Sequence, residues 1–270
     1  MQKHAVRVQE TLWDQNSPYN DACPVRPAGS GQHAPVGCDA TAMAQVMNSW
    51  RWPSTYTWDL LHDVHTDPVD DGDPEVARLC HDAGMALEME YGANESSAAP
   101  SKVPGALADA FGCSPDAVLE DRHMMRMLNE IRWLRPFLLG GRDSRDSGHR
   151  WVVLGYRLST PATEFLMNWG DGAPNGWYSV DNVPNGYTHD QDHVTRIAPR
   201  GVVKFVGATD PGDGSPAEPY RNITEALDDA PDGRTLIFKA YSENAFPSAT
   251  LTITRRLVLK GANAVIRGSY

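Results

Sequence analysis

No apolar run in the sequence approaches the roughly 20 residues a membrane helix needs, so no spanning segment is expected. Met1 to Glu10 has no apolar h-region, so no signal peptide is expected in this chain. Cysteine is scarce. The four present, Cys23, Cys38, Cys80 and Cys113, are too few for a disulfide scaffold and lack C-x-x-C spacing, which argues against a structural zinc knot. Basic charge is also in deficit. There are 24 Lys and Arg against 35 Asp and Glu, a net charge of −11, which argues against nucleic acid as a partner. Heptads and low-complexity tracts are absent. The acidic stretch Asp67 to Asp73 lacks the closing Glu of a calcium loop and is expected to be a solvated loop. No metal or other cofactor is expected.

The composition that remains is globular. With 41% hydrophobic and 22% charged residues, the 270-residue chain can bury a core in one large domain or two modest ones. Twenty Pro, 23 Gly and eight Trp suggest a loop-rich fold with aromatic anchors. The composition breaks near Pro199-Arg200-Gly201, so we place a domain boundary at about residue 200, giving segments 1–199 and 200–270. Helices are predicted over Cys38–Trp50, Pro74–Met85, Val103–Phe111 and His123–Leu134. In the first, Met43, Val46, Met47 and Trp50 form one apolar face. Strands are predicted at Pro136–Leu139, Trp151–Tyr156, Glu164–Asn168, Gly176–Val180 and His193–Ile197. Helices first and antiparallel strands second suggest an α+β fold of two lobes, with a cleft between them as the natural site.

Four local patterns carry chemistry. They are WDQNSPYN from Trp13, GQHAPVGC ending at Cys38, SGHRW from Ser147 and NWGDG from Asn168. Cys38 falls at a predicted helix N-terminus after a glycine, where open N–H groups and the helix dipole favour a thiolate. His149 opens a distant strand, an arrangement that suits a nucleophile and base meeting across a cleft. Asn168 could orient the imidazole through its side-chain carbonyl, Trp169 could shield that bond, and the Gln15 amide suits an oxyanion hole. Taken singly, each reading is weaker than a bland one, namely a buried small cysteine, a structural histidine and an idle glutamine. Order, local structure and chemistry together favour one mechanism.

These segments resemble the C10 peptidases, the streptopain-like group of papain-fold cysteine proteases. That pattern runs W-x-Q-x-x-P-Y-N, G-Q-H-A-x-x-G-C-x-A-T-A-x-A-Q-x-M, G-G-H-A-W/F-V and N-W-G-W-G-G-x-x-x-G. Here the segments read WDQNSPYN, GQHAPVGCDATAMAQVM, SGHRWVV and NWGDGAPNGWY, and the similarity runs from about residue 10 to 199. The resemblance implies a papain-like fold and a cysteine endopeptidase acting on proteins or peptides. Within it Cys38 is the nucleophile, His149 the base and acid, Gln15 the oxyanion donor, and Asn168 and Trp169 the supports of the histidine. Ser97 and Gly148 match positions lining the substrate groove. The resemblance also implies secretion, and an inhibitory propeptide that is not found in this chain. Three departures stand out: Asp39 replaces a small apolar residue after the nucleophile, Arg150 an alanine after the histidine, and Asp171 a second tryptophan. Two other functions remain open. One is acyl transfer on the same fold, as an amidase or transglutaminase. The other is a degenerate protease scaffold serving adhesion or carbohydrate binding.

The tail has its own pattern. A helix is predicted over Ile223–Ala230 and strands at Thr235–Phe238, Leu251–Ile253 and Leu257–Leu259. Asp213-Gly214-Ser215, Pro219-Tyr220, Ile223, Ala226-Leu227 and Leu257–Gly261 resemble the opening of a pectin-lyase-like right-handed parallel β-helix. The alternative is a small β appendage. The strand pattern close to Tyr270 suggests that the natural chain continues. No motif residue lies in the tail, so the cleft is expected to be independent of it.

Overall fold

The computed structural model describes residues 3–5, 11–64, 71–239 and 257–261. In chain order the elements are β1 (Lys3–Ala5), α1 (Cys38–Trp50), α2 (Asp73–Ala86), β2 (Glu90–Tyr91), β3 (Ser96–Ser97), α3 (Val103–Asp109), β4 (Val118–Asp121), α4 (Met124–Arg132), β5 (Phe137–Arg142), β6 (Gly148–Arg157), β7 (Glu164–Asn168), β8 (Gly176–Tyr178), β9 (His189–Thr195), β10 (Val203–Val206), α5 (Ile223–Asp229), β11 (Thr235–Phe238) and β12 (Val258–Gly261). The expected helices and strands that fall on described residues are present, several with shifted ends. His123, expected inside a helix, instead caps α4 by accepting a hydrogen bond from the Arg126 N–H.

The centre is a seven-stranded antiparallel sheet in the order β4-β9-β5-β6-β7-β8, with β1 also paired to β6. Successive side chains of a strand face opposite sides, so β6 serves two cores. Val152 and Leu154 join Leu138, Val194 and the apolar residues of α1, α2 and α3 on one face. Trp151, Val153 and Tyr156 join Met127, Ile131, Phe137 and Phe165 on the other. Burying each large apolar side chain contributes about 1.5–3 kcal/mol, so this sandwich of helix, sheet and helix fixes β6 from both sides.

Helix α1 is buried along most of its length, Asp39 to Asn48 included. Its start is set by Gly37, whose φ of 91° suits glycine. A Cβ there would lie 2.7 Å from Met89 Cε, so the conformation disfavours a side chain and Met89 would have to shift to admit one. No side chain caps the first turn, which leaves its N–H groups pointing toward the cleft end.

The tail differs from the solenoid expectation. Its described residues form one three-stranded parallel sheet, β10-β11-β12, and no solenoid; the strand expected at Leu251–Ile253 lies outside the described residues. Nor is the tail independent of the rest. Val203, Phe205 and Ile237 share a core with Ala198, against which Trp50, Trp133 and Leu134 pack. Arg135, 1% exposed, is sandwiched between the rings of Trp133 and Phe205 at 4.8 and 4.7 Å, pairs with Glu130 at 2.6 Å and donates to the Pro216 carbonyl at 3.1 Å. Among the described residues no helix is long and apolar enough to cross a membrane.

Candidate active site

Cys38, His149, Ser97 and Gly148 line one cleft of about 530 Å³. Its walls are the start of α1, strand β3, the turn between β5 and β6, and the start of β9. Three segments distant in sequence, carrying Cys38, Ser97 and Gly148-His149, thus meet at one opening. Gln15 is not among the residues lining it. The Gln15 carbonyl accepts from the Val36 N–H at 3.0 Å, which lays its segment beside the run into Cys38.

Cys38 is half-buried, and its thiol contacts Asp39 Oδ2 at 3.8 Å. Burial, and then the Asp39 carboxylate, push the thiol up to about 12, while the Arg150 N–H and guanidinium pull the other way. Burial likewise pushes His149 below its ordinary value. Both shifts favour the neutral thiol and neutral imidazole in the resting protein.

His149 Nε2 lies 2.9 Å from the Trp169 carbonyl oxygen. A carbonyl can only accept, so Nε2 carries the proton and Nδ1 is left with its lone pair. Aromatic rings hold the imidazole in place. Trp169 stacks at 6.0 Å between centroids and 13°, Tyr187 at 5.3 Å and 29°, and Trp151 at 6.1 Å and 17°. Trp151 and Trp169 stack on each other at 4.5 Å. Strand alternation puts Trp151 on the His149 face, so it was findable from sequence, whereas Tyr187 sits in a turn with no local signal.

Asn168 is placed differently from expectation. Its Oδ1 accepts from Gln45 Nε2 at 2.9 Å and from the Gly170 N–H at 3.0 Å. Its Nδ2 donates to the Thr11 carbonyl at 2.7 Å and to Thr11 Oγ1 at 3.2 Å. The amide is therefore committed to α1, to the residue after Trp169 and to the N-terminal segment, while the imidazole is held by main chain. Asn168 fixes the bend from which the Trp169 carbonyl emerges.

The departures Asp39 and Arg150 meet. Arg150 Nε donates to Asp39 Oδ1 at 2.6 Å, and Arg150 Nη1 lies 2.8 Å from Asp192 Oδ1. Asp39 and Arg150 are 6% and 4% exposed. Burial alone would lower Arg150, but the two carboxylates outweigh it and hold the guanidinium above its ordinary value. Asp171, the third departure, is exposed, accepts from the Ala173 N–H at 3.1 Å and favours the charged form of His149. Among the described residues no group of three or more His, Cys, Asp or Glu is arranged to hold a metal ion.

A model of the peptidase C10 family matches residues 13–56 and 54–178, which together cover all the motif segments and the cleft up to β8. Similar relatives include the thiol protease/hemagglutinin PrtT of Porphyromonas gingivalis, 25% identical over 232 residues that span 70% of this chain and 26% of that protein. Streptopain of Streptococcus pyogenes is 23% identical over 215 residues, spanning 63% of this chain and 53% of that protein. The chain therefore spans about a quarter of the first relative and about half of the second. Among solved structures, active wild-type interpain A, a cysteine protease of Prevotella intermedia, superposes with a TM-score of 0.62 at 25% identity, covering 71% of this chain and 94% of that one. A fragment of prointerpain A from the same organism gives 0.59 at 25% identity, covering 72% of this chain and 71% of that one.

Proposed function

The chain belongs to the peptidase C10 family, and on that basis we propose that it is a cysteine endopeptidase acting on protein or peptide substrates. The observation that carries this reading is the shared cleft of Cys38 and His149, with the imidazole pinned through Nε2 to the Trp169 carbonyl. Pinning Nε2 leaves Nδ1 as the base. The imidazole takes the thiol proton as Cys38 Sγ attacks the peptide carbonyl, because the resting pair is neutral. The Cys38 N–H, open at the start of α1, stabilises the oxyanion, and the family resemblance assigns the second donor to the amide of Gln15, which lies outside the cleft lining. The imidazolium then protonates the leaving amine, and the Cys38 acyl-enzyme is released by a water that the same imidazole deprotonates. Trp169 and Tyr187 keep bulk water from the imidazole. Ser97 and Gly148 border the substrate backbone. By family resemblance we place the working protein outside the cell.

Cys38→Ser tests the reading directly. The change is nearly isosteric, so thermal stability should hold while hydrolysis of an unstructured protein substrate disappears. A thiol-directed epoxide should label Cys38 alone, because Cys23, Cys80 and Cys113 are buried. Retained turnover in the serine variant would refute the assignment. Incorporation of an added amine in place of water would favour acyl transfer, and absence of selective labelling would favour an inert scaffold.

A further inference from the structure

We propose that Asp39 and Arg150 act as one positioning unit, an ion pair that ties the first turn of the Cys38 helix to the strand bearing His149 and sets opposite charges against the two reacting groups. Each member directly follows a reacting residue, and the pair resting on two different elements is what fixes those elements in register. Asp39 is held in the first turn of α1 and Arg150 on the α1-facing side of β6, the side that also carries Val152. The 2.6 Å bond between them spans the helix and the sheet. The inference rests on the reading of Cys38 as nucleophile and His149 as base.

The surrounding residues are built for this pair. A Cβ on Gly140 of β5 would lie 2.9 Å from Arg150 Cζ, from its Nη2 and from Asp192 Oδ1, so the guanidinium occupies the space a side chain would need. Asp192 of β9 flanks the guanidinium opposite Asp39. With two carboxylates on one arginine, loss of Asp39 still leaves Arg150 partnered, whereas loss of Arg150 leaves Asp39 buried without a counter-ion.

The two members act on the thiol in opposite directions. Asp39 opposes the thiolate and Arg150 favours it, while on His149 their effects are reversed. The other charged groups facing Cys38 do not replace them. His149 shares β6 with Arg150, Asp192 is engaged by Arg150, and Tyr187 is neutral near pH 7 with its hydroxyl pushed up by burial. Glu95 and Asp190 lie at the exposed rim. In the turn between β5 and β6, Arg142 pairs with Asp146 and Arg145 with Asp143.

The test is the pH dependence of Cys38 alkylation by iodoacetamide, located by peptide mapping, in the full chain. It reads the thiol without requiring peptide hydrolysis. Near pH 8, Asp39→Asn should react about threefold or more faster than the parent and Arg150→Met about threefold or more slower, because the rate follows the thiolate fraction. The double variant should fall between them. In peptidase assays the double variant should lose less kcat/KM than the product of the two single losses, the signature of coupled residues. Asp39→Asn keeps shape and a hydrogen-bond acceptor, so it carries the test if Arg150→Met does not fold. Single variants that shift alkylation in the same direction, or an Asp39→Asn protein indistinguishable from the parent, would overturn the proposal. The expected alkylation order without any hydrolysis would support the pair and overturn the endopeptidase reading instead.

Discussion

His149 Nε2 is held by the Trp169 backbone carbonyl at 2.9 Å, an acceptor that no side-chain substitution deletes. The neighbouring Asn168 side chain works one step removed, through four hydrogen bonds to Thr11, Gln45 and Gly170. Asn168→Ala should therefore destabilise the protein by about 2 kcal/mol or more, since buried partners lose their bonds. It should lower kcat by roughly tenfold while KM changes little, because a loosened carbonyl matters most in the transition state. The pH profile of kcat/KM should keep its shape, since the imidazole keeps its main-chain partner. A displaced acid limb would show that the amide itself acts on His149.

One half-buried and one fully buried histidine predict a stability that depends on pH. Burial lowers both His149 and His193 below their unfolded values. His193 is 0% exposed, and its Nε2 accepts from the His123 N–H, which leaves Nδ1 with the proton and no acceptor. As pH falls below about 6.5, the unfolded chain takes up protons that the folded chain refuses, so stability drops with pH. Urea midpoints should be level above neutrality and fall between about pH 6.5 and 5. In His193→Gln that fall should be shallower. An unchanged slope would show that His193 titrates alike in both states.

Glycine substitutions separate the crowded strand from an open helix. Gly140→Ala should displace the Arg150 guanidinium and lower kcat/KM by about tenfold, equivalent to about 1.4 kcal/mol. Gly105→Ala, in α3 with nothing within 4 Å of the new Cβ, should leave kcat/KM unchanged and raise stability by up to about 1 kcal/mol. Equal behaviour of the two variants would remove the steric argument.

Local patterns were legible in the sequence where one segment contains the whole signal. The apolar face of α1, its glycine start, strands β5 to β9 of the central sheet and the four motif segments are of this kind, whereas β1 and β4 were not foreseen. Beyond the Cys38 and His149 cleft, which motif order and family resemblance already implied, residues that meet from different segments were not. Asp39 and Arg150 look like two unrelated charges until the register of α1 on β6 joins them. A carbonyl has no side-chain identity, so the Trp169 acceptor could not be told from the Asn168 amide. Arg135 between Trp133 and Phe205 likewise depends on a packing of the tail that composition does not reveal. The composition break at residue 200 marks the change from antiparallel to parallel pairing, not the end of the shared core.

That shared core predicts the outcome of truncation. Trp50 ends the helix that begins with Cys38, and it packs against the cluster of Ala198, Val203, Phe205 and Ile237. Removing residues 201–270 would strip three of those four side chains. It would also open the face of Trp133 and expose the Glu130–Arg135 pair, which loses Phe205 and the Pro216 carbonyl. Phe205→Ala alone should cost about 3–5 kcal/mol, as large-to-small changes at fully buried aromatics do. The truncated chain should thus unfold at lower temperature, be less soluble than the full chain, and lose activity through α1. The check is a thermal melt of full-length, Phe205→Ala and truncated proteins, with rate measured per active site titrated by a thiol-directed inhibitor. A truncated protein that melts with the parent and keeps its rate per site would show that the two segments fold independently, whatever contacts join them.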